Sequence, residues 1–337
     1  MADNIYSVVR EQREAIDRAE LEMLRQLTEA WTPTLRWLEK RIRDITAIIT
    51  EAHEAGQGVS ISYIYARDRY RTMMEEAKQA VEQYNLAAYG IISGAEADAV
   101  DIGVHNAEEL VDIAEPANPM WTRINKREVR IMTGMLSENS PLAELLSKSW
   151  PEMEQGIKNA LLAGIGTGQG VDWIAREMMK AVEIAPERAM LIARTEVIRA
   201  YRQANLETMR SSRAVTGYRR LCYAPTACFA CLMMDGEYYD KMEDFSDHPN
   251  GKCTAVPVTR HYDPADESDW QKGKDWFMAQ TEQTQRSILG DGHYELWKEH
   301  DVDPRDMVYI KQNDLWGGSP TMYSLRYLRE KYNIANP

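Results

Sequence analysis

The chain has 337 residues with 44% hydrophobic content, enough for two or three domains with a sizeable core and too apolar for general disorder. A formal net charge of −13 excludes a molecule that, taken whole, binds nucleic acid or anionic membrane electrostatically. No apolar run approaches the roughly 20 residues of a membrane span, and Met1-Ala-Asp-Asn-Ile-Tyr has neither the basic nor the apolar region of a secretory signal, so none is expected there.

The first segment reads as helix. Ile5, Val9, Gln12, Ile16, Ala19, Met23 and Leu27 step by threes and fours and line one face. Trp31-Thr32-Pro33 predicts a break and restart, with Thr32 as N-cap and Pro33 in the first turn. Leu35, Leu38, Ile42, Ile45, Ile49 and Ala52 repeat the spacing until Gly56-Gln57-Gly58, and a third stripe runs through Met74, Ala77, Val81, Tyr84, Ala88 and Ile91. Three stripes with short breaks predict an antiparallel bundle or arm over 1–92. They serve equally as a core or as a docking arm. Ser93-Gly94 and Pro116-Ala-Asn-Pro119 punctuate an expected connector over 93–120, with a short helix opened by Asn106 and Glu109 as a capping box.

Helical pattern resumes over Trp121–Leu136. Ser140-Pro141 opens another helix with Leu142, Leu145 and Leu146 inward, and Met153, Ile157 and Leu161 continue toward Gly164. The glycines between Gly164 and Gly170 lack the Gly-Lys-Ser/Thr end of a phosphate loop. They read as a helix end and a turn, with Asp172 near the next helix start. A long helix is predicted from Pro186 to about Ser211. Between Pro186 and Leu221, eight arginines (188, 194, 199, 202, 210, 213, 219 and 220) stand against Glu187, Glu196 and Glu207, a local sign reversal. Arg188, Arg199, Arg202, Arg210, Arg213, Arg219 and Arg220 are therefore candidate contacts for DNA or an acidic partner. The alternative is a solvated face with internal ion pairs.

After Gly217 the period changes. Tyr218–Tyr223 reads as a strand, Asp235-Gly236 between apolar runs as a hairpin turn, and Thr254–Thr259 as a second strand. Beyond His261 the sequence is polar and Trp-rich. Trp270, Trp276 and Phe277 read as core anchors, and a last helix is predicted from Ser319-Pro320 through Met322, Leu325 and Leu328.

Chemistry concentrates in one stretch. Cys228-Phe-Ala-Cys231 places two thiols two residues apart, and after sixteen further residues comes His248-Pro-Asn-Gly-Lys-Cys253. Two S/N donor pairs on two short arcs suit tetrahedral Zn²⁺, and Cys228, Cys231, His248 and Cys253 would close its shell, making the ion a structural staple. Clustering of all four cysteines between 222 and 253 fits metal ligation in a reducing compartment better than a disulfide scaffold. Unliganded thiols, a redox CxxC and a Cys–His nucleophile are the other readings. The redox motif lacks its βαβ setting and the nucleophile has no placed acid partner. Cys222 reads as a small core side chain.

The order Arg194-Thr195-Glu196, Cys228-x-x-Cys231, Asp235-Gly236, His248-Pro249-x-x-x-Cys253 and Val256-Pro257 resembles the phage Mu protein F-like family of head morphogenesis (minor head) proteins, over roughly 150–262. Gly251 stands where the family pattern has the first of two terminal cysteines. Ser287-Ile-Leu-Gly290 with His293-Tyr294 and Trp297 is a weaker likeness. The residues together read as a mainly α fold with a small zinc-stapled β-hairpin insertion (α+β), divided into 1–92, 93–120, 121–262 and 263–337 (a helical tail), and the resemblance makes 121–262 the family domain. The resemblance implies a virion protein, assembled in the host cytoplasm, in the capsid interior near the portal vertex, in several copies. Its partners would be the portal and major capsid proteins, with packaged DNA as a further contact, and no catalysis is expected. Arg194 and Glu196 are expected to brace the cysteine hairpin, and Thr195 to bond back to a carbonyl one turn earlier. A nucleic-acid module on the Arg188–Arg220 stretch is the alternative function. An effector enzyme in the C-terminal region is a further one.

Overall fold

The computed structural model describes residues 4–56, 60, 64, 68–122, 129, 141–267, 270–313 and 317–335. Among the described residues the helices include α1 (Ile5–Glu54), α2 (Asp68–Ala114), α3 (Pro141–Ser147), α4 (Ser149–Gly166), α5 (Val171–Val182), α6 (Ile184–Ser211), α7 (Phe229–Met234), α8 (Gly273–Met278), α9 (Glu282–Leu289), α10 (Asp291–His300) and α11 (Leu325–Tyr332). The strands are β1 (Val215–Leu221), β2 (Tyr238–Asp240), β3 (Thr254–Thr259), β4 (Val308–Asn313) and β5 (Gly317–Met322). The protein is thus mainly helical with small antiparallel sheets. It groups into two compact units, one of Met1–Asp17, Glu96–Ser137 and Val197–Pro337, the other of Arg18–Ala95 and Glu138–Glu196.

The second unit is a helical bundle built on the predicted stripes. Met23, Leu27, Trp31, Leu38, Ile42, Ile45 and Ile49 of α1 and Ala77, Val81, Tyr84 and Ala88 of α2 are buried. Trp31 meets Tyr84 edge-on at 4.8 Å between ring centroids. The expected break at Trp31-Thr32-Pro33 is corrected: Pro33 lies inside continuous α1. Losing one helical hydrogen bond costs about 3 kcal/mol. Large apolar side chains bury on the same stripe before and after the proline, at roughly 1.5–3 kcal/mol each, so one straight register wins. Thr32 makes no cap; its hydroxyl bonds back to the Thr28 carbonyl at 2.8 Å. Gly164 to Gly170 form the turn from α4 into α5, as expected.

The connector expected over 93–120 is helix as far as Ala114. A single glycine in a helix costs about 1 kcal/mol, and Ala99, Val100, Val104, Ala107, Leu110 and Val111 extend the buried face past it. Asn106 is no cap; it is buried and donates to the Tyr201 hydroxyl at 2.6 Å. Gly103 allows this approach of α2 to α6, since a Cβ there would strike the Tyr201 carbonyl. The helix expected over 121–136 lies, after Trp121 and Thr122, almost wholly outside the described residues. Trp121 itself pairs with Ser212 in an isolated β-bridge.

In the first unit the expected hairpin is a three-stranded antiparallel sheet of order β2-β1-β3. Tyr218 faces Tyr239 on one side and Pro257 on the other. The Asp235-Gly236 turn joins helix α7 to β2, not strand to strand, because Met233 and Met234 complete α7. Asp235 holds the junction. Its carboxylate accepts from the Cys222 backbone N–H at 2.7 Å, the Trp270 indole N–H at 3.0 Å and the Gly273 N–H at 2.8 Å. Each buried donor left unmatched costs about 1–3 kcal/mol. Asp235→Ala is therefore expected to lower stability by about 3 kcal/mol or more, read as a shifted urea midpoint; an unchanged midpoint would refute that role.

The residues after 263 are not a purely helical tail, since β4 and β5 form a hairpin there. The last helix starts at Leu325, where the Ser324 hydroxyl caps the Tyr327 N–H, and Pro320 sits in β5. Both strands of a two-stranded sheet are edges, where a missing N–H is tolerated. Phe277 is fully buried between Phe229 and Trp297, with ring centroids at 5.2 and 5.6 Å, so the expected aromatic anchors stand.

Candidate metal centre

Two short arms carry the cysteines. Strand β1 passes through a 3₁₀ turn (Ala224–Thr226) into α7, where Cys228 is the N-cap residue and its Sγ accepts from the Cys231 N–H at 3.4 Å. Both thiols of the CxxC are thereby set at one helix start, Cys228 exposed and Cys231 buried. The second arm leaves β2 through residues 241–253. Arg210 gathers its beginning, donating to the carbonyls of Lys241, Met242 and Glu243 at 2.9, 3.1 and 2.8 Å. Phe245 then lies under the guanidinium of Arg220 at 4.8 Å and that of Arg202 at 5.5 Å. His248-Pro-Asn-Gly turns back on itself: Asn250 adopts φ +61°, a left-handed conformation asparagine tolerates, and the Gly251 N–H returns to the His248 carbonyl at 2.9 Å.

His248 Nε2 lies 3.2 Å from Cys228 Sγ and 3.5 Å from Cys231 Sγ. Its Nδ1 is 2.9 Å from the Pro249 carbonyl. A carbonyl only accepts, so Nδ1 carries the proton, and in the neutral ring the Nε2 lone pair faces the thiols. With metal–sulfur bonds near 2.3 Å and metal–nitrogen bonds near 2.0 Å, tetrahedral donors stand roughly 3.5–3.8 Å apart. Cys228, Cys231 and His248 therefore fit a Zn²⁺-type ion with little movement. Cys231 also belongs to a second, wholly buried group with Asp247 and Cys253. All four cysteine and histidine candidates line one cleft of about 290 Å³, with Arg13, Asp17 and Tyr223 on its other wall.

Electrostatics reflect the crowding. The contact with Cys231, helped by Asp247, raises His248 to about 9 against the cost of burial. The Cys228 thiol is lowered, first by its hydrogen bond with Cys231. Cys253 is pushed well up, by its contact with Cys231 and by burial. Cys222, which sits behind the cleft, is pushed up by burial, as suits a core side chain.

Behind the thiols lies an ionic cluster that the spacing of cysteines does not announce. Asp247 is fully buried and pairs with both Arg202 and Arg220. Burial alone would push its carboxyl up, but the two guanidiniums and His248 hold it below the ordinary carboxylate range. Arg220, 1% exposed, also donates to the Ser246 carbonyl at 2.6 Å and lies 3.3 Å from Cys231 Sγ. The period-two alternation of β1 turns Arg220 inward, while Arg219 pairs with Asp263 through two bonds of 2.5 and 2.6 Å. The only sequence signal for Asp247 is its place directly before His248-Pro249.

The expected basic surface is thus corrected at two positions, since Arg202 and Arg220 are interior. Arg188 pairs with Glu152, and Arg210 with Glu207 and Asp244; Arg199 is engaged as well, while Arg213 is exposed. Arg194 is expected as a brace of the cysteine hairpin. It reaches Glu20 of α1 at 3.1 Å; among the described residues of α6, Arg202 and Arg210 are bound to the 241–253 arm. Glu196 is fully buried, and Thr195 bonds back to the Leu191 carbonyl at 2.8 Å as expected.

Residues 155–256 match the family described as phage Mu protein F like protein, which bears out the resemblance read from the cysteine segment. The match runs from within α4 to within β3 and takes in Arg202, Arg220, Cys228, Cys231, Asp247, His248 and Cys253. No curated protein and no solved structure matches the chain.

Proposed function

We propose, from the phage Mu F-like segment at 155–256, that this chain is a minor head protein of a tailed phage acting in head morphogenesis. The family points to a phage head-related protein in the virion. The finer reading is a capsid-interior location near the portal vertex, several copies per particle, and the portal and major capsid proteins as partners. It acts by assembly contacts and not by catalysis, and it sits beside packaged DNA without wrapping it. The net charge of −13 supports that restraint, because the chain and DNA repel. So does the pairing of Arg188, Arg202, Arg210, Arg219 and Arg220 with carboxylates. No described helix is long and apolar enough to cross a membrane.

Within this reading the cysteine cleft holds a structural Zn²⁺. Cys228, Cys231 and His248 would supply three donors, and Cys253, which groups with Cys231 and Asp247, would move toward them to supply the fourth. The ion would tie the α7 arm to the 241–253 arm, two loops with little secondary structure of their own.

The test is quantitative mass spectrometry of purified particles from the source, comparing DNA-filled with emptied heads. A low, fixed copy number in filled heads is expected. Loss on emptying would add delivery with the DNA. Absence from every particle would overturn the head-protein reading and bring DNA binding across a salt series to the front.

A further inference from the structure

We infer that the Asp247 carboxylate occupies the space of the side chain missing at Gly251, and that it is the positioning residue of the metal centre. The inference rests on the metal reading above. Three observations carry it. First, a Cβ placed on Gly251 would fall onto the Asp247 carboxylate, overlapping its carbon and both oxygens. No side chain fits at 251 while Asp247 stays where it is.

Second, that one carboxylate reaches both arms of the cleft. Oδ1 accepts from the His248 backbone N–H at 3.0 Å and from Arg220 at 3.0 Å, and it lies 3.7 Å from Cys231 Sγ. Oδ2 pairs with Arg202, which also donates to the Gly251 carbonyl at 3.1 Å. Asp247 thus fixes the backbone that carries His248, and through Arg220 it fixes the sulfur of Cys231.

Third, the local charge requires it. Two buried guanidiniums beside the donors would repel a divalent cation. A buried carboxylate between them offsets that repulsion without using a thiolate. The side-chain-free position two residues before Cys253 is thus the space this anion needs, and a cysteine added there would not simply become another ligand.

The experiment is Co²⁺ titration of the full chain, following thiolate-to-cobalt charge-transfer absorption and competing each protein with a chelator. Loss of an outer-shell anchor typically weakens metal binding about 10–100-fold. Asp247→Asn is expected to weaken Co²⁺ by that amount, with the thiolate band per bound cobalt unchanged. Gly251→Cys and Gly251→Ala are both expected to weaken it too, because each displaces the carboxylate. The pair Asp247→Ala with Gly251→Cys is expected to recover affinity with a stronger thiolate band, since the introduced thiolate brings an anion into the vacated space.

The inference is overturned if Gly251→Cys alone binds as tightly as the unaltered protein and gains thiolate absorption, or if Gly251→Ala binds unchanged. If Asp247→Asn does not fold, the two Gly251 variants decide the matter. If the unaltered protein takes up no cobalt or zinc, the metal reading itself falls; if it binds and the variants behave otherwise than stated, only the role of Asp247 falls.

Discussion

Chelator-treated protein is expected to melt well below metal-loaded protein, and Cys228→Ser to melt with the chelated form whether or not metal is supplied. A ligand that binds only the folded state stabilises it by about 4 kcal/mol when free at a thousand times its Kd. That corresponds to a rise of at least several degrees in melting temperature. The effect stays below the total folding free energy, unlike in the smallest zinc modules, because the sheet and helices of this unit bury their own core around Leu206, Tyr218 and Val256. The loss should concentrate in residues 241–253, whose backbone amides would exchange faster without metal. Calorimetry with and without chelator, combined with metal analysis, reads it directly. Coincident melts for loaded and chelated protein would end the structural-zinc reading.

Arg220→Leu should be as severe. The guanidinium is interior and serves the Ser246 carbonyl, Cys231 Sγ and the Asp247 carboxylate. Removing one member of a buried ionic group leaves an under-compensated charge and costs about 3–5 kcal/mol. Arg202 still faces Asp247, which keeps the cost from rising further. Arg220→Lys should recover little, since one ammonium cannot reproduce the planar fork that reaches three acceptors at once. Urea unfolding of the three proteins measures this. A midpoint for Arg220→Leu close to that of the unaltered protein would mean the cluster contributes nothing net.

Both expectations turn on residues that differ in how legible they were. Cys228, Cys231, His248 and Cys253 announce themselves by spacing, because a CxxC turn and a following His/Cys pair constrain where their donors go over a few residues. Arg202 and Arg220 were visible only as members of a basic stretch. Their partner Asp247 lies 45 residues from the one and 27 from the other, and no local pattern links them. A stripe of like charge looks the same whether solvent or a distant carboxylate neutralises it.

Helix boundaries divided along the same line. The stripes of α1 and α2 were correct, yet the breaks expected at Pro33 and at Ser93-Gly94 did not occur. Local breakers cost a few kcal/mol at most, and burial on either side of them outweighs that amount. Ser319-Pro320 misled in the opposite direction, because the pairing of β5 with β4 claimed residues that local capping rules assign to a helix.

What the sequence by itself determined is what acts over one or two turns of chain. That covers the mainly helical class, the long helix ending near Ser211, a strand about 218–223 (215–221 in the structure) and one at 254–259, and the cluster of thiols and imidazole with its family pattern. Tertiary structure alone decided which arginines are interior, that Asp247 stands where position 251 has no side chain, and that three strands and not two make the sheet. Charge pairing and close packing depend on distances through space between segments far apart in the chain, and a one-dimensional pattern fixes neither.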